Sequence, residues 1–166
     1  MTVLETERLL LRRPTEADVA SPPAWLSDPE VMDWLGGTEQ PAAEVVRLWL
    51  EQWKRFPTGK FLVQRRDDGA LIGRVGANYY DVQTWQRSPA GEPELGWALA
   101  REHWGNGYAT EAALAVREWL RAPRLVSLIA PDNVRSQQVA RRLGARPWQT
   151  VELPGYGPHV VWEHPR

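Results

Sequence analysis

Two glycines spaced as Gly105-Asn106-Gly107, followed by Tyr108-Ala109-Thr110 and an amphipathic run, give the strongest chemical signal in this sequence. Glycine lets a backbone approach a ligand closely or take positive φ, and Ala109 keeps the start of the next helix small. The first amides of a helix have no intrahelical partners and point at one spot, which the helix dipole makes favourable to anions. The dipole contributes only ~0.3–1 kcal/mol per exposed charge, so the N–H groups must do most of any binding. A glycine-rich turn that holds no ligand gives the same pattern. A P-loop is excluded because Gly-Lys-Ser/Thr is missing, and a dinucleotide fingerprint needs Gly or Ala where Thr110 stands.

Other chemistries find less support. No cysteine is present, which removes disulfides, thiolate metal sites and a cysteine nucleophile. The three histidines, His103, His159 and His164, have no metal-ligand spacing, so no metal is expected. No Gly-x-Ser-x-Gly elbow appears. A net charge of −1 offers no basic field for nucleic acid or a membrane surface. Glu5 and Glu7 come too early for a secretory core, and no apolar run approaches transmembrane length, so the expected location is cytoplasmic. With 166 residues and no linker or repeat, one domain over residues 1–166 is expected. Ten tryptophans are unusual for this length, and most belong in the core because large aromatics dominate burial.

The elements around the glycine loop follow from periodicity and punctuation. Residues 8–12 read as a strand stopped by Pro14, and Thr15-Glu16-Ala17-Asp18 resembles a capping box opening a short helix. Asp28-Pro29 starts another short helix over 30–35, ended by Gly36-Gly37. From Pro41 a longer helix carries Val45, Leu48, Trp49, Trp53 and Phe56 at three- and four-residue spacing. Strands at 60–66 and 71–80 flank the turn Asp67-Asp68-Gly69. A polar loop over 81–91 precedes a strand at 93–100. The helix at 108–121 has Ala112, Val116, Trp119 and Leu120 on one face. An apolar strand at 125–130, a helix at 133–143 capped by Gly144, and a hairpin of 148–153 with 159–163 complete the chain. The order implies an α/β fold: a mixed sheet of about seven strands with helices on both faces.

Glu94-Leu95-Gly96-Trp97-Ala98-Leu99 followed by Trp104-Gly105-Asn106-Gly107-Tyr108-Ala109-Thr110-Glu111-Ala112 resembles the GCN5-related N-acetyltransferases (GNAT), most closely the branch of ribosomal-protein N-terminal acetyltransferases. Thr6-Glu7-Arg8-Leu9-Leu10-Leu11-Arg12, Asp28-Pro29-Glu30-Val31-Met32, and Asn133-Val134-Arg135-Ser136 with Leu143-Gly144-Ala145 resemble it too, so nearly the whole chain is covered in the right order. The resemblance implies a splayed, mostly antiparallel sheet and acetyl-CoA as co-substrate. Its pantetheine arm would enter between the strands at 93–100 and 125–130 and pair with backbone near Trp97, Ala98, Leu99 and Arg101. The pyrophosphate would lie on the amides of Gly105, Asn106, Gly107, Tyr108, Ala109 and Thr110. Trp104 departs from the Arg or Gln of many relatives, which main-chain recognition tolerates.

The same resemblance makes Glu94 the candidate general base for an amine attacking the thioester, with Glu92 the alternative carrier. Partial burial beside apolar walls would suit it to that task. Asn133 is placed near the pantetheine or the acceptor and Ser136 near the thioester sulfur, although an Asx residue at a helix start is most often a cap. Ala140 stands where many relatives carry a tyrosine acid. Protonation of the leaving thiolate then falls to Ser136, another tyrosine such as Tyr108, or water. Trp25, Trp34, Trp85 and Tyr156 are candidates to line the acceptor pocket. The implied activity is acetyl transfer to a primary amine, either a protein N-terminus or a small amine, with longer acyl groups open. A non-catalytic acyl-CoA sensor would use the same loop. The resemblance also leaves room for a homodimer.

Overall fold

The computed structural model describes residues 2–166. In chain order the elements are β1 (Val3–Glu5), β2 (Leu9–Arg12), α1 (Glu16–Ala20), α2 (Pro29–Met32), α3 (Ala42–Arg55), β3 (Lys60–Arg65), β4 (Leu71–Tyr80), β5 (Glu92–Leu99), α4 (Tyr108–Leu120), β6 (Val126–Ile129), α5 (Val134–Arg142), β7 (Arg146–Leu153) and β8 (Gly157–Glu163). The strands form one sheet ordered β1-β2-β3-β4-β5-β6-β8-β7. That is one strand more than the periodicity implies. Val3–Glu5 is too short to show a period and is defined by its antiparallel pairing with Leu10–Arg12.

The local chemistry read from the sequence explains the element starts. The Asp18 carboxylate accepts the Thr15 amide at 2.7 Å and so opens α1. The same carboxylate takes both ends of the Arg12 guanidinium at 2.8 Å, which ties α1 to β2. Asp28 caps α2 by accepting from the Glu30 amide at 3.0 Å. A 3-10 turn over Asp33–Leu35 continues α2, and Gly36 then adopts positive φ.

Helices cover both faces. Ala112, Ala113 and Val116 of α4 pack on Leu9, Leu11, Phe61, Val75 and Leu95. On the opposite face, Trp25, Val31, Met32 and Val46 form a second cluster with Ala98 and Ala100. Val46 is the buried anchor of α3, worth ~1.5–3 kcal/mol. Leu48 departs from the expected apolar stripe. It is 56% exposed, because α3 lies on the rim of a groove and buries a different edge.

Every strand pair is antiparallel except β5 with β6, which run parallel and meet only at Glu94 and Val126. Beyond that point the strands part. Ser127 bridges the start of the gap: its hydroxyl donates to the Leu95 carbonyl at 2.6 Å and lies 2.8 Å from His164 Nε2. With the hydroxyl proton committed to Leu95, Nε2 carries the imidazole proton and donates it to Ser127. Burial, reinforced by the Arg117 charge, lowers the His164 pKa to about 4.

Candidate active site

The parting of β5 and β6 leaves one edge of β5 without a strand partner from Gly96 onward. A cleft runs along this edge, lined by Trp97, Ala98, Leu99, Trp104, Ala109 and Ser136. At its outer end lies the glycine loop. Gly105 (φ 77°) and Gly107 (φ 80°) both occupy the left-handed region, where a side chain would be strained. Among the described residues, no protein acceptor takes the amides of Gly105 through Thr110, so they are free to meet an anion.

The loop is braced from the far end of the chain. Glu111, in the first turn of α4, accepts from the Thr6 hydroxyl at 2.6 Å, the Arg8 amide at 2.9 Å and Arg8 Nε at 2.7 Å. Arg8 Nη1 then donates to the Asn106 carbonyl at 2.9 Å. Two segments about a hundred positions apart thus lock one loop, and these contacts hold the Glu111 carboxyl below its usual range despite its partial burial. Arg135 stacks over the Trp104 ring at 3.4 Å and places a second cation at the cleft mouth.

The edge cleft opens into a central cavity that shares Trp34, Leu35, Trp97, Asn133 and Ser136 with it. Glu94 stands there, 8% exposed, at the point where β5 and β6 separate. Its Oε1 accepts the Leu128 amide at 3.2 Å, which fixes the carboxylate against β6. The alternative carboxylate, Glu92, is committed to Arg124 at 3.2 Å. The central cavity continues into a groove between α3 and β4. Tyr156, at the tip of the β7–β8 hairpin, reaches across to the Gly36 turn and lines both spaces.

This arrangement has a cleft along an open strand edge, a buried carboxylate at its inner end and a separate groove beyond it. Residues 8–146 match the family described as the acetyltransferase (GNAT) domain. The chain belongs to the GNAT acetyltransferases. The N-acetyltransferase YoaA of Bacillus subtilis is 28% identical over 151 residues, spanning 86% of this chain and 81% of that protein. An acetyltransferase from Agrobacterium tumefaciens superposes with a TM-score of 0.82 at 30% identity, over 100% of this chain and 95% of that one. The aminoglycoside acetyltransferase AAC(6')-Ib, solved with coenzyme A, shares the fold at TM-score 0.74 and 22% identity, with 95% of each chain covered. As a GNAT protein the chain is an acyl-CoA-dependent acetyltransferase, and the fold it shares binds acetyl-CoA.

Within this GNAT domain the candidate residues fall into distinct places. Asn133 accepts the Ser136 amide at 3.3 Å as the cap of α5, and both residues line the central cavity. Ala140 is fully buried beside Ile129 and Trp162. Arg101 sits in a 3-10 turn just past β5, where its side chain pairs with Asp28 and Glu30. Tyr108 lies under the Arg8 guanidinium at 4.4 Å, far along the loop from Glu94. Trp34 lines the cavity, and Trp25 stacks on Trp49 along the groove.

Two expectations are corrected. Trp85 is only 6% exposed and packs with Tyr80, Val126, Leu153 and Val161, so its indole belongs to the core behind the cavity wall. The walls beside Glu94 are not apolar either. Lys60 and Arg74, both buried, face the same cavity. The sequence carried a signal for them: charged residues in interior strands, at alternate positions shared with glycines. Among the described residues no cluster of His, Asp or Glu suits a metal, and no helix is long and apolar enough to cross a membrane.

Proposed function

We propose that this chain moves the acetyl group of acetyl-CoA to a primary amine by direct attack, with Glu94 as general base. The observation that carries this reading is the position of Glu94: a pinned, buried carboxylate where the donor channel meets the acceptor groove. The pantetheine arm pairs with the free edge of β5 near Trp97, Ala98 and Leu99. The pyrophosphate lies on the amides of Gly105 to Thr110, with the Arg8 and Arg135 charges nearby.

The amine enters through the groove, and Glu94 accepts its proton directly or through one water. The nitrogen then attacks the thioester carbonyl, and a β5 amide polarises the developing oxyanion. Collapse of the tetrahedral intermediate expels the CoA thiolate. The surplus proton on the nitrogen passes through the Ser136 hydroxyl to the sulfur, a role supported by Ser136 lining both the donor channel and the central cavity. No covalent enzyme intermediate is needed.

Calorimetry with acetyl-CoA, alongside a thiol-release assay over a panel of amines, tests this reading. Tight acetyl-CoA binding and amine-dependent thiol release support it. Failure to bind acetyl-CoA overturns it.

A further inference from the structure

The face of the sheet that looks into the acceptor space has a bare patch at its centre. Gly76 of β4 is directly opposite Gly96 of β5, and Lys60 of β3 is directly opposite Gly76. Alternation puts Arg74, Asn78 and Glu94 on the same face around the two glycines. A Cβ on Gly96 would lie 3.2 Å from Arg74 Nη1, 3.4 Å from Lys60 Nζ and 3.7 Å from Glu94 Oε2. Three charged ends thus converge on one small volume.

Two basic side chains face one carboxylate there, and neither makes a direct ion pair with it. Among the described residues neither Lys60 nor Arg74 has a carboxylate oxygen within 4 Å. Lys60 is 4% exposed and donates only to the Gly76 carbonyl at 3.1 Å. Arg74 is 9% exposed, and its Nη1 is buried with no hydrogen-bond partner. A guanidinium held dry and unpaired is costly unless something completes it. Burial, reinforced by the Arg74 and Arg87 charges, pushes Lys60 well below its ordinary range, and burial, reinforced by Arg87, brings Arg74 down to about 10. Arg87 adds a third positive charge at the exposed rim.

We propose that the acceptor is an amine that also carries a carboxylate, received by Arg74 and Lys60 while the amine nitrogen faces Glu94. This inference rests on the general-base reading of Glu94 given above. The anion sites and the base lie within a few ångström of one another, so amine and carboxylate sit on the same or neighbouring carbons, as in a free amino acid. Arg74 offers the planar fork suited to a carboxylate. A polyamine or another polycation would bring like charge onto this floor and be rejected.

The test compares L-amino acids with their carboxamides and with spermidine as acceptors for the unmutated protein, read by thiol release. The acids are expected to exceed their amides in kcat/KM by about tenfold to a hundredfold, the worth of one charged hydrogen-bonded contact. Arg74→Gln should bring the acid-to-amide ratio of kcat/KM toward one, chiefly by raising KM for the acids. Arg74→Lys should restore part of it. A merely structural role for Arg74 would lower activity on acids and amides alike. Equal or better turnover of amides or spermidine overturns the inference, as does the absence of turnover with every acid. If acetyl-CoA binding persists in those cases, the acetyl-transfer reading stands. Its loss would take down both.

Discussion

The two sides of this cleft, proposed above for donor and acceptor, are built from different materials. The donor side is main chain: a strand edge released by the parting of β5 and β6, and a loop whose two glycines present amides. The acceptor side is side chain: Lys60, Arg74 and Glu94 on the sheet, Trp34 and Tyr156 from separate loops. A backbone site can be shared by many sequences that bind one cofactor. A side-chain site is written afresh for each acceptor, so the acceptor of one relative does not transfer to another.

Substitutions can break that contrast. The largest effect is expected at the junction itself. Glu94→Gln should lower kcat by ~10²–10⁴-fold while acetyl-CoA affinity, measured by calorimetry, stays as it was. An unchanged kcat would remove Glu94 from the chemistry.

The seam between the two sides should respond to pH. His164 has a folded pKa of about 4 against an ordinary 6.5, so the folded state favours the neutral ring. Its contribution is complete above about pH 6.5 and is lost as pH falls toward 4, an effect of about 3 kcal/mol. Urea unfolding at pH 7 and pH 5 should show the drop, and His164→Gln should flatten that part of the profile. A profile identical in the variant would mean the ring does not titrate as described.

On the donor side, Gly107→Glu should weaken acetyl-CoA binding by about a hundredfold, because it adds strain at φ 80° and fills the anion position with negative charge. Trp97→Phe, which leaves the β5 backbone alone, should hardly matter. If the two were equally harmful, main-chain recognition would be the wrong description. A smaller loss than that of Gly107→Glu belongs to the acceptor rim. Tyr156→Ala should raise the acceptor KM by about tenfold and spare the acetyl-CoA KM.

The geometry of the backbone half of the candidate site was more legible in the sequence than that of the side-chain half. A Gly-x-Gly turn between a strand and a helix is local, and its meaning survives without tertiary information. So are the Asp28 cap and the Thr15–Asp18 box, which the structure shows as hydrogen bonds. The Lys60–Arg74–Glu94 cluster draws on three strands. Only the register that puts Lys60 opposite Gly76, and Gly76 opposite Gly96, brings those charges together. Trp85 was misplaced for a similar reason. A tryptophan in a polar loop reads as a rim residue, but positive φ at 55° turns it inward. Leu48 failed the other way, because apolar spacing cannot tell a core from a groove.

The strand order carries a consequence for how the enzyme is made. β8 is synthesised after β7 yet lies between β6 and β7 in the sheet. A growing chain that has reached residue 153 holds β7 with no neighbour to pair with, and β6 with an open edge. The residues that brace Ser127 against Leu95 follow later still, at His164. The wall of the cleft is therefore completed last, and a nascent chain stalled before its final hairpin closes should have its N-terminal strands in place and no working site.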